Sequence, residues 1–293
     1  MARSFQHAGQ RARLHVIDVK SGESRVVFES SEVLFEAPNW TADGWLVVNG
    51  DGRLFRIPAA GGAELEEIPL GDIPELNNDH VLAPNDTSVF VSAQDGHIYE
   101  AALDGSEQRR VTEVERPLYK HYLHGVTPDG QTLVFTGITR VAQENGEMII
   151  TLIPAAGGEE VQLTPDDHAD DGPEFTRDGA RILFNSERGS SEAGHAQLFS
   201  MNTDGSDIRQ LTTDERVNWF PHQSPDGSEI AYVSFPSGTL GHPADVDDVQ
   251  IRVLAADGSI RELARLFGGQ GTMNVPSWSP DGTEIAYVDY PLS

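Results

Sequence analysis

The chain has 293 residues, and its 47 acidic residues outnumber its 20 basic residues, so its formal net charge is −27. We expect no nucleic-acid partner, because a phosphate backbone is bound through cationic side chains. The sequence contains no cysteine, which excludes disulfides, thiolate-held metals and thiol catalysis.

Long apolar runs are missing from the sequence. Residues 1–18 contain arginines but no apolar run of the length that a signal peptide requires. No other segment approaches the roughly 20 apolar residues of a spanning helix. We therefore expect a cytoplasmic protein with no membrane partner. The acid excess fits a soluble or salt-adapted surface.

The first predicted element is a hairpin over residues 13–29, in which two alternating strands flank a Ser-Gly turn. Six later segments share another pattern, a polar turn of the Pro-Asp-Gly type followed by an alternating apolar strand. They are NWTADGWLVV (39–48), VLAPNDTSVFV (81–91), GVTPDGQTLVF (125–135), EFTRDGARILF (174–184), HQSPDGSEIAYV (222–233) and SWSPDGTEIAYV (277–288). The turns lie 42 to 55 residues apart, which is the spacing of propeller blades.

A second hairpin follows each of the first five segments, with a Gly-containing turn between alternating strands. These hairpins span 52–68, 96–112, 147–164, 196–212 and 249–264. The sixth segment lacks one, and the hairpin at 13–29 supplies the missing half of the blade that residues 275–290 begin. The sequence therefore predicts an all-β fold: a six-bladed β-propeller of four-stranded antiparallel blades, filling residues 1–293 as one domain. Pairing of the N-terminal hairpin with the C-terminal strands closes the ring.

The repeated turn and strand, SPDGSEIAYV at 224–233 and SPDGTEIAYV at 279–288, resemble the PD40 (WD40-like) repeats of the TolB family. The resemblance covers nearly all of the chain and implies a TolB-like propeller. TolB itself is periplasmic and has a separate N-terminal α/β domain that serves the Tol–Pal system. This sequence offers neither an export signal nor residues for that domain, so we expect a stand-alone propeller.

Propeller topology places the short repeated turns on one face, the short-turn face, and the long irregular connections on the other, the loop face. The long connections are 113–123, 136–146, 165–173, 186–195, 235–248 and 265–275. Irregular loops on a rigid scaffold commonly carry binding and catalytic residues. We therefore expect the functional site at the loop-face mouth of the central tunnel.

Residues at the start of the inner strands indicate a metal site. Four successive blades carry His80, His124, Glu174 and His222 shortly before the turn. Imidazoles and a carboxylate that converge in a tunnel are ligands for a divalent metal such as Zn, Mn or Fe, whereas Ca prefers more oxygen ligands. The offsets differ, because the first two residues stand five positions before the turn and the other two stand four. With a side-chain period of two, this difference reverses the face unless a bulge intervenes.

Other polar residues of the loop face complete the predicted site. We predict His121, Asp171 and His242 as catalytic residues that transfer protons. Ligand-binding roles are predicted for Asn39, Asp170, Asp245, Gln270 and Asn274. For Asp170 and Asp171, an acidic solvated loop is the alternative interpretation.

Two functions fit these features. The first is binding of a divalent metal, of a small polar ligand such as a carbohydrate, or of both, with lyase or hydrolase activity as an extension. Such a site is similar to that of oligogalacturonate lyase, a propeller enzyme with TolB-like repeats that binds its metal through His and Gln. The second is a non-catalytic scaffold that binds a partner protein through apolar anchors on the loop face. The candidate anchors are Leu118, Tyr119, Phe235, Leu240, Leu266 and Phe267.

Overall fold

Alternation of apolar and polar residues gives the strands their buried faces. The structure, a computed structural model, describes residues 3–113, 118–139 and 147–292. Its strands form six antiparallel sheets, which are the blades of a six-bladed β-propeller. The second strand of a blade is mostly buried, as in β8 (Ser88–Ala93), whereas the outermost strand of blades 1 to 4 is short and mostly exposed, as in β10 (Gln108–Arg110). The blades therefore bury apolar residues near the tunnel and leave their rims to solvent.

Blades 1 to 5 each have four strands, in chain order from the tunnel to the rim. Blade 1 is β3 (Phe35–Trp40), β4 (Trp45–Gly50), β5 (Arg53–Pro58) and β6 (Glu66–Ile68). Blade 2 is β7 (Leu76–Leu82), β8, β9 (Ile98–Ala102) and β10. Blade 3 is β11 (Tyr119–Val126), β12 (Thr132–Thr139), β13 (Met148–Pro154) and β14 (Val161–Gln162). Blade 4 is β15 (Asp170–Phe175), β16 (Arg181–Ser186), β17 (Gln197–Asn202) and β18 (Arg209–Gln210). Blade 5 is β19 (Val217–Gln223), β20 (Glu229–Phe235), β21 (Val246–Ala255) and β22 (Ile260–Gly268).

Blade 6 closes the ring from both ends of the chain. Its strands are β23 (Glu284–Asp289), β1 (Ala12–Asp18) and β2 (Ser24–Ser30), with β1 between the other two. Strands β1 and β23 are antiparallel from Arg13↔Asp289 to Asp18↔Glu284. The innermost strand is reduced to an isolated bridge between Trp278 and Ile285. The predicted closure by the N-terminal hairpin is confirmed.

The repeated turn Asp residues are structural. In five blades a Thr or Ser hydroxyl donates a hydrogen bond to the turn carboxylate two residues later, at 2.6–2.7 Å. The pairs are Thr41–Asp43, Thr127–Asp129, Thr176–Asp178, Ser224–Asp226 and Ser279–Asp281. These local bonds stabilise the turn. They also lower the pKa of Asp129, Asp178, Asp226 and Asp281.

The inner strands of blades 1 to 5 are each interrupted by a β-bulge that has paired residues on both of its sides. In blades 1, 4 and 5 the first extra residue has a positive φ and the second is proline. These first residues are Ala37 (φ 53°), Gly172 (φ 60°) and Phe220 (φ 56°). Bulges re-aim neighbouring side chains, so the residues beside them turn toward the tunnel mouth.

Apolar residues cluster between neighbouring blades. One such cluster joins Trp219 and Val253 of blade 5 to Tyr287 of blade 6. Within the described ranges, no helix is long and apolar enough to cross a membrane.

Candidate functional site at the loop-face mouth of the tunnel

The four predicted metal ligands do not gather into one site. The Glu174 carboxylate contacts His222 Nδ1 at 2.6 Å, and Nε2 of the same ring faces the Met273 carbonyl at 3.2 Å. The His80 Nε2 atom faces the Val47 carbonyl at 3.3 Å, and burial lowers the pKa of His80 to about 4. His124 joins a different set of residues. Among the described residues, no three acidic or imidazole groups are arranged to hold a metal ion.

Strand register explains why the quartet is divided. Glu174 and His222 pair with the neighbouring strand two residues before the turn hydroxyl, at Leu183 and Ala231. His80 lies one residue earlier in its ladder, and His124 occupies the bulge itself between the paired residues Leu123 and Gly125. A one-residue difference sends side chains to different faces, so the differing offsets in the sequence separate the two pairs.

A second set of residues, which we call the mouth cluster, does converge at the loop face. It consists of Asp79, His124, Asp171, His242 and Gln270. One Asp171 oxygen lies 3.4 Å from His124 Nε2 and the other lies 3.6 Å from His242 Nε2. The side-chain amide oxygen of Gln270 contacts His242 Nδ1. The bulges of blades 2, 3 and 4 and the loops of blades 5 and 6 therefore combine to build one polar site.

Aromatic rings hold the imidazoles of the mouth cluster in place. The His242 ring lies 4.5 Å from the Trp219 ring and 5.1 Å from the Phe220 ring, measured between centroids. Phe220 also stacks on His124 at 5.7 Å. The side chain of His242 remains 28% exposed, whereas those of His124 and Asp171 are almost fully buried. His242 thus lies at the outer edge of the site.

Burial and mutual charge set the protonation of the mouth cluster. Burial, reinforced by the charge of Asp171, raises the pKa of Asp79 to about 6 despite the two imidazoles. Burial opposes the charged forms of Asp171 and His124 as well. The two imidazoles nevertheless lower the pKa of Asp171, and Asp79 and Asp171 raise the pKa of His124. The surroundings therefore favour the charged form of Asp171 and the protonated form of His124, relative to the same groups in water.

The N-terminal segment covers one side of the mouth. The Arg3 guanidinium donates hydrogen bonds to Glu36 Oε1 at 3.3 Å, the Gln270 carbonyl at 2.6 Å and Asp245 Oδ1 at 2.8 Å. Asp245 also accepts a bond from Gln10 Nε2 at 2.6 Å. The predicted ligand-binding residues Asp245 and Gln270 thus lie at the mouth and are held there by the chain itself.

Two other predicted residues, His121 and Asp170, are engaged in structural contacts outside the mouth cluster. His121 is buried between blades 2 and 3, where its Nδ1 donates to the Gly96 carbonyl at 2.5 Å and its Nε2 contacts Glu160 at 2.8 Å. Asp170 is paired with Arg188 at 2.5 Å and is fully buried. The solvated-loop alternative is therefore wrong for both Asp170 and Asp171.

Asn39 and Asn274 lie at different depths of the tunnel. The Asn39 amide donates to the Pro276 carbonyl at 2.7 Å and accepts from the Leu82 amide at 3.1 Å, which joins three blades. The Asn274 carbonyl lies 3.4 Å from His124 Nδ1, and its side-chain Nδ2 has no hydrogen-bond partner among the described residues. Asn274 therefore has a spare donor beside the mouth cluster.

A cavity of about 320 Å³ opens at the opposite end of the tunnel. Its lining includes Asn39, Glu174, Trp278 and the short-turn residues Pro84 and Pro128. The sequence places Asn39 and Glu174 at the loop face, and this placement is wrong because both lie only two residues before the turn hydroxyls. The two ends of the tunnel thus carry different groups.

Sequence reasoning missed Asp79, Glu36 and Arg3. Glu36 and Asp171 occupy equivalent positions, each two residues before the proline of a bulge. That proline is the signal that marks Glu36 in the sequence. Asp79 lies within the bulge of β7 and has no proline after it, while Arg3 lies outside the repeats.

Comparison with known proteins places the chain in a family. Residues 124–262 match the family model described as the TolB beta propeller domain. An uncharacterized protein of Agrobacterium fabrum is 35% identical over 286 residues, which cover 96% of this chain and 92% of that protein. A solved TolB-like structure from Agrobacterium tumefaciens has 34% identity and a TM-score of 0.87, with 97% of this chain and 99% of that chain covered.

A more distant structural neighbour shares the fold alone. Oligogalacturonate lyase in complex with manganese has a TM-score of 0.61 at 16% identity, with 94% of this chain and 77% of that chain covered. The near-full-length relative, the repeat motif and the six-bladed ring agree with one another. The chain belongs to the TolB-like, PD40 β-propeller family.

Proposed function

We propose that the mouth cluster binds a small, hydroxyl-rich polar ligand. The observation that carries this proposal is the position of Asp171 between two imidazoles at 3.4 and 3.6 Å. These separations exceed those of strong charge-assisted hydrogen bonds. The carboxylate and the imidazoles therefore keep hydrogen-bonding capacity for a ligand. A ligand hydroxyl can use this capacity, because it donates to a carboxylate and accepts from an imidazole.

The surroundings of the cluster favour the same class of ligand. Asn274 Nδ2 is buried beside the cluster and has no hydrogen-bond partner in the described part of the chain. Asp79 and Asp171 make the site acidic, which disfavours anions. Buried polar groups that lack partners are costly, so a ligand that supplies hydrogen bonds gains free energy at this place.

A divalent cation is the second candidate ligand. Two imidazoles, two carboxylates and an amide oxygen are suitable donors. Two ligands on one ion at about 2.1 Å stand roughly 3.0–3.4 Å apart, which is close to the His124–Asp171 separation. The manganese in the distant lyase structure supports this candidate. Because the cluster is not already arranged as a metal site, and because the pKa of His124 is raised, protons compete with the cation and binding strengthens as the pH rises.

Proton transfer on a bound ligand is an extension of the proposal. A pKa of about 6 makes Asp79 an effective general acid or base near neutral pH. A lyase or hydrolase reaction at this cluster would use Asp79 and His124 as the proton-carrying pair. A cytoplasmic location, with no nucleic-acid partner, remains part of the proposal.

The scaffold alternative has less support on the loop face. Of the predicted anchors, Tyr119, Phe235 and Leu266 are buried. Leu118 and Leu240 are exposed, at 62% and 71%. Two exposed leucines offer little apolar surface for binding a partner protein, compared with the anchor residues of a specific protein interface.

Ligand-induced shifts in melting temperature test the proposal. The panel consists of neutral monosaccharides, uronic acids, and the chlorides of Mn, Zn and Ca. We expect at least one compound to raise the melting temperature of the wild type and to lose its effect in Asp171→Asn and His242→Gln. The matched control is His168→Gln, which changes an exposed loop-face histidine outside the cluster. Equal shifts in all four proteins, or no shift with any compound, would overturn the proposal.

A further inference from the structure

The Arg3 side chain is inserted into the fold like a ligand. Its neighbours Ser4, Gln6 and His7 are exposed, whereas the Arg3 side chain is only 12% exposed. The guanidinium bonds to Glu36, Asp245 and the Gln270 carbonyl, and its central carbon lies 3.9 Å above the centre of the Tyr290 ring. Cations over an aromatic face gain electrostatic attraction.

The walls of this pocket belong to other parts of the fold. Glu36 is fixed by the bulge of β3, and the Tyr290 hydroxyl donates to the Phe35 carbonyl at 3.2 Å. A side chain at Gly271 would collide with both Glu36 and Tyr290. Asp245 lies in the blade 5 loop with a positive φ of 59°. The walls of the pocket are therefore supplied by blades 1, 5 and 6 and not by the segment that carries Arg3.

The shape of the pocket discriminates between cations. A planar guanidinium stacks on a ring and donates in its plane to carboxylates and carbonyls at once, whereas an ammonium is a compact point charge. Arg3 Nε is buried without a hydrogen-bond partner among the described residues. The pocket therefore forms hydrogen bonds only with the two terminal nitrogens of the guanidinium. An external arginine or alkylguanidinium has the same terminal nitrogens.

We propose that Glu36, Asp245, Tyr290 and the Gln270 carbonyl form a guanidinium-binding site, the Arg3 cage. Arg3 occupies the cage in this structure, and an external alkylguanidinium, such as an arginine side chain, occupies it when Arg3 leaves. The ligand chemistry is a planar cation, supplied free or on a peptide. This inference does not rest on the proposed function of the mouth cluster, although Gln270 contributes to both.

Chemical rescue of Arg3→Ala tests the cage. Methylguanidinium chloride and methylammonium chloride are compared at equal, millimolar concentration, using melting temperature and isothermal titration calorimetry. We expect methylguanidinium to bind Arg3→Ala saturably and to raise its melting temperature more than methylammonium does. The cage of the wild type is filled by Arg3. The wild type should therefore bind methylguanidinium at least roughly tenfold more weakly than Arg3→Ala does.

Three further proteins make the test specific. Arg11→Ala removes an exposed arginine paired with Glu29 and should show no preference for guanidinium. Arg3→Ala/Asp245→Asn should bind methylguanidinium roughly tenfold more weakly than Arg3→Ala. Arg3→Ala/Asp171→Asn, which disables the mouth cluster, should keep the full response. Equal binding of both cations by Arg3→Ala, or equal responses of Arg3→Ala and Arg11→Ala, would overturn the cage.

Discussion

Aspartates of this chain have opposite electrostatic behaviour according to their surroundings. Asp226 is exposed in a short turn, where hydrogen bonds from Ser224 and Ser228 lower its pKa to about 2. Asp79 is buried at the mouth, where desolvation raises its pKa to about 6. Asp226 therefore stays charged throughout the neutral range, whereas Asp79 takes up a proton as the pH falls through about 6.

The raised pKa of Asp79 predicts a pH dependence of stability. The folded chain holds this proton more tightly than the unfolded chain, whose Asp has the ordinary pKa of 3.8. The contribution of Asp79 to stability is therefore fully present below about pH 4 and is lost as the pH rises through about 6. At about 1.4 kcal/mol per pKa unit, the loss is on the order of 3 kcal/mol. The free energy of unfolding of Asp79→Asn relative to wild type should rise by that amount between pH 4 and pH 7, measured by urea unfolding.

Asp226→Asn is the control, because the pKa of Asp226 is shifted in the opposite direction to that of Asp79. Its carboxylate has a lowered pKa, so it contributes stability above pH 4 and loses that contribution as the pH falls toward 2. The relative stability of this variant should stay flat from pH 5 to pH 7. A flat profile for Asp79→Asn over pH 4–7 would contradict the predicted protonation of the mouth.

For single residues, the sequence identifies the polar residues of the mouth better than it identifies which of them lie together. His124, Asp171, His242 and Gln270 were all chosen from the sequence, yet they were assigned to three different roles. The structure joins them because a bulge displaces His124 and a loop of blade 5 brings His242 back. Neither displacement follows from a side-chain period of two.

Bulges are the elements that create the mouth. Each bulge interrupts the ladder of an inner strand, and the residues on its loop-face side, such as Glu36 and Asp171, resume pairing in a shifted register. Gly172 takes the positive φ of 60° in blade 4, where an added Cβ would lie 2.7 Å from the Asn185 side-chain oxygen and 2.9 Å from the Phe220 ring. The position therefore has both a conformational and a steric requirement for glycine.

Gly172→Ala tests this requirement. We expect a loss of about 2–4 kcal/mol in the free energy of unfolding, since a strained φ and a close contact add together. Gly258→Ala is matched in conformation, with φ 84°, but meets nothing within 4 Å, and it should cost only about 1 kcal/mol. Chemical denaturation of both variants measures the difference. Equal losses would show that the bulge tolerates a side chain.

The strands themselves were predictable because alternation and turn chemistry are local. The hydroxyl–carboxylate bond of Ser224 to Asp226, for example, is contained within three residues. Bulges depend on the partner strand, and the Asn185 side chain that bonds to the Phe220 amide comes from a neighbouring blade. Contacts between blades of this kind cannot be predicted from the repeat pattern alone.

For the whole molecule, the ring is held by pairing between the two ends of the chain. Deletion of residues 1–30 removes β1 and β2 and leaves an unpaired edge on β23, so we expect aggregation or loss of cooperative melting. Deletion of residues 1–9 removes Arg3 but keeps both strands, and this shorter deletion should keep the oligomeric state of the full chain and melt cooperatively. Size-exclusion chromatography and calorimetry distinguish the two. A soluble, cooperatively melting protein after the longer deletion would disprove closure as a requirement for folding.

The closure also sets an order of events during synthesis. Arg13 and its ion-pair partner Asp289 are separated by 276 positions along the chain. At ribosomal rates of about 5–20 residues per second, β1 and β2 wait on the order of tens of seconds for β23. An isolated hairpin is marginally stable in water, so its edges need protection over that interval. Strand β23 is therefore the latch of the propeller, because the ring cannot close before that strand has left the ribosome.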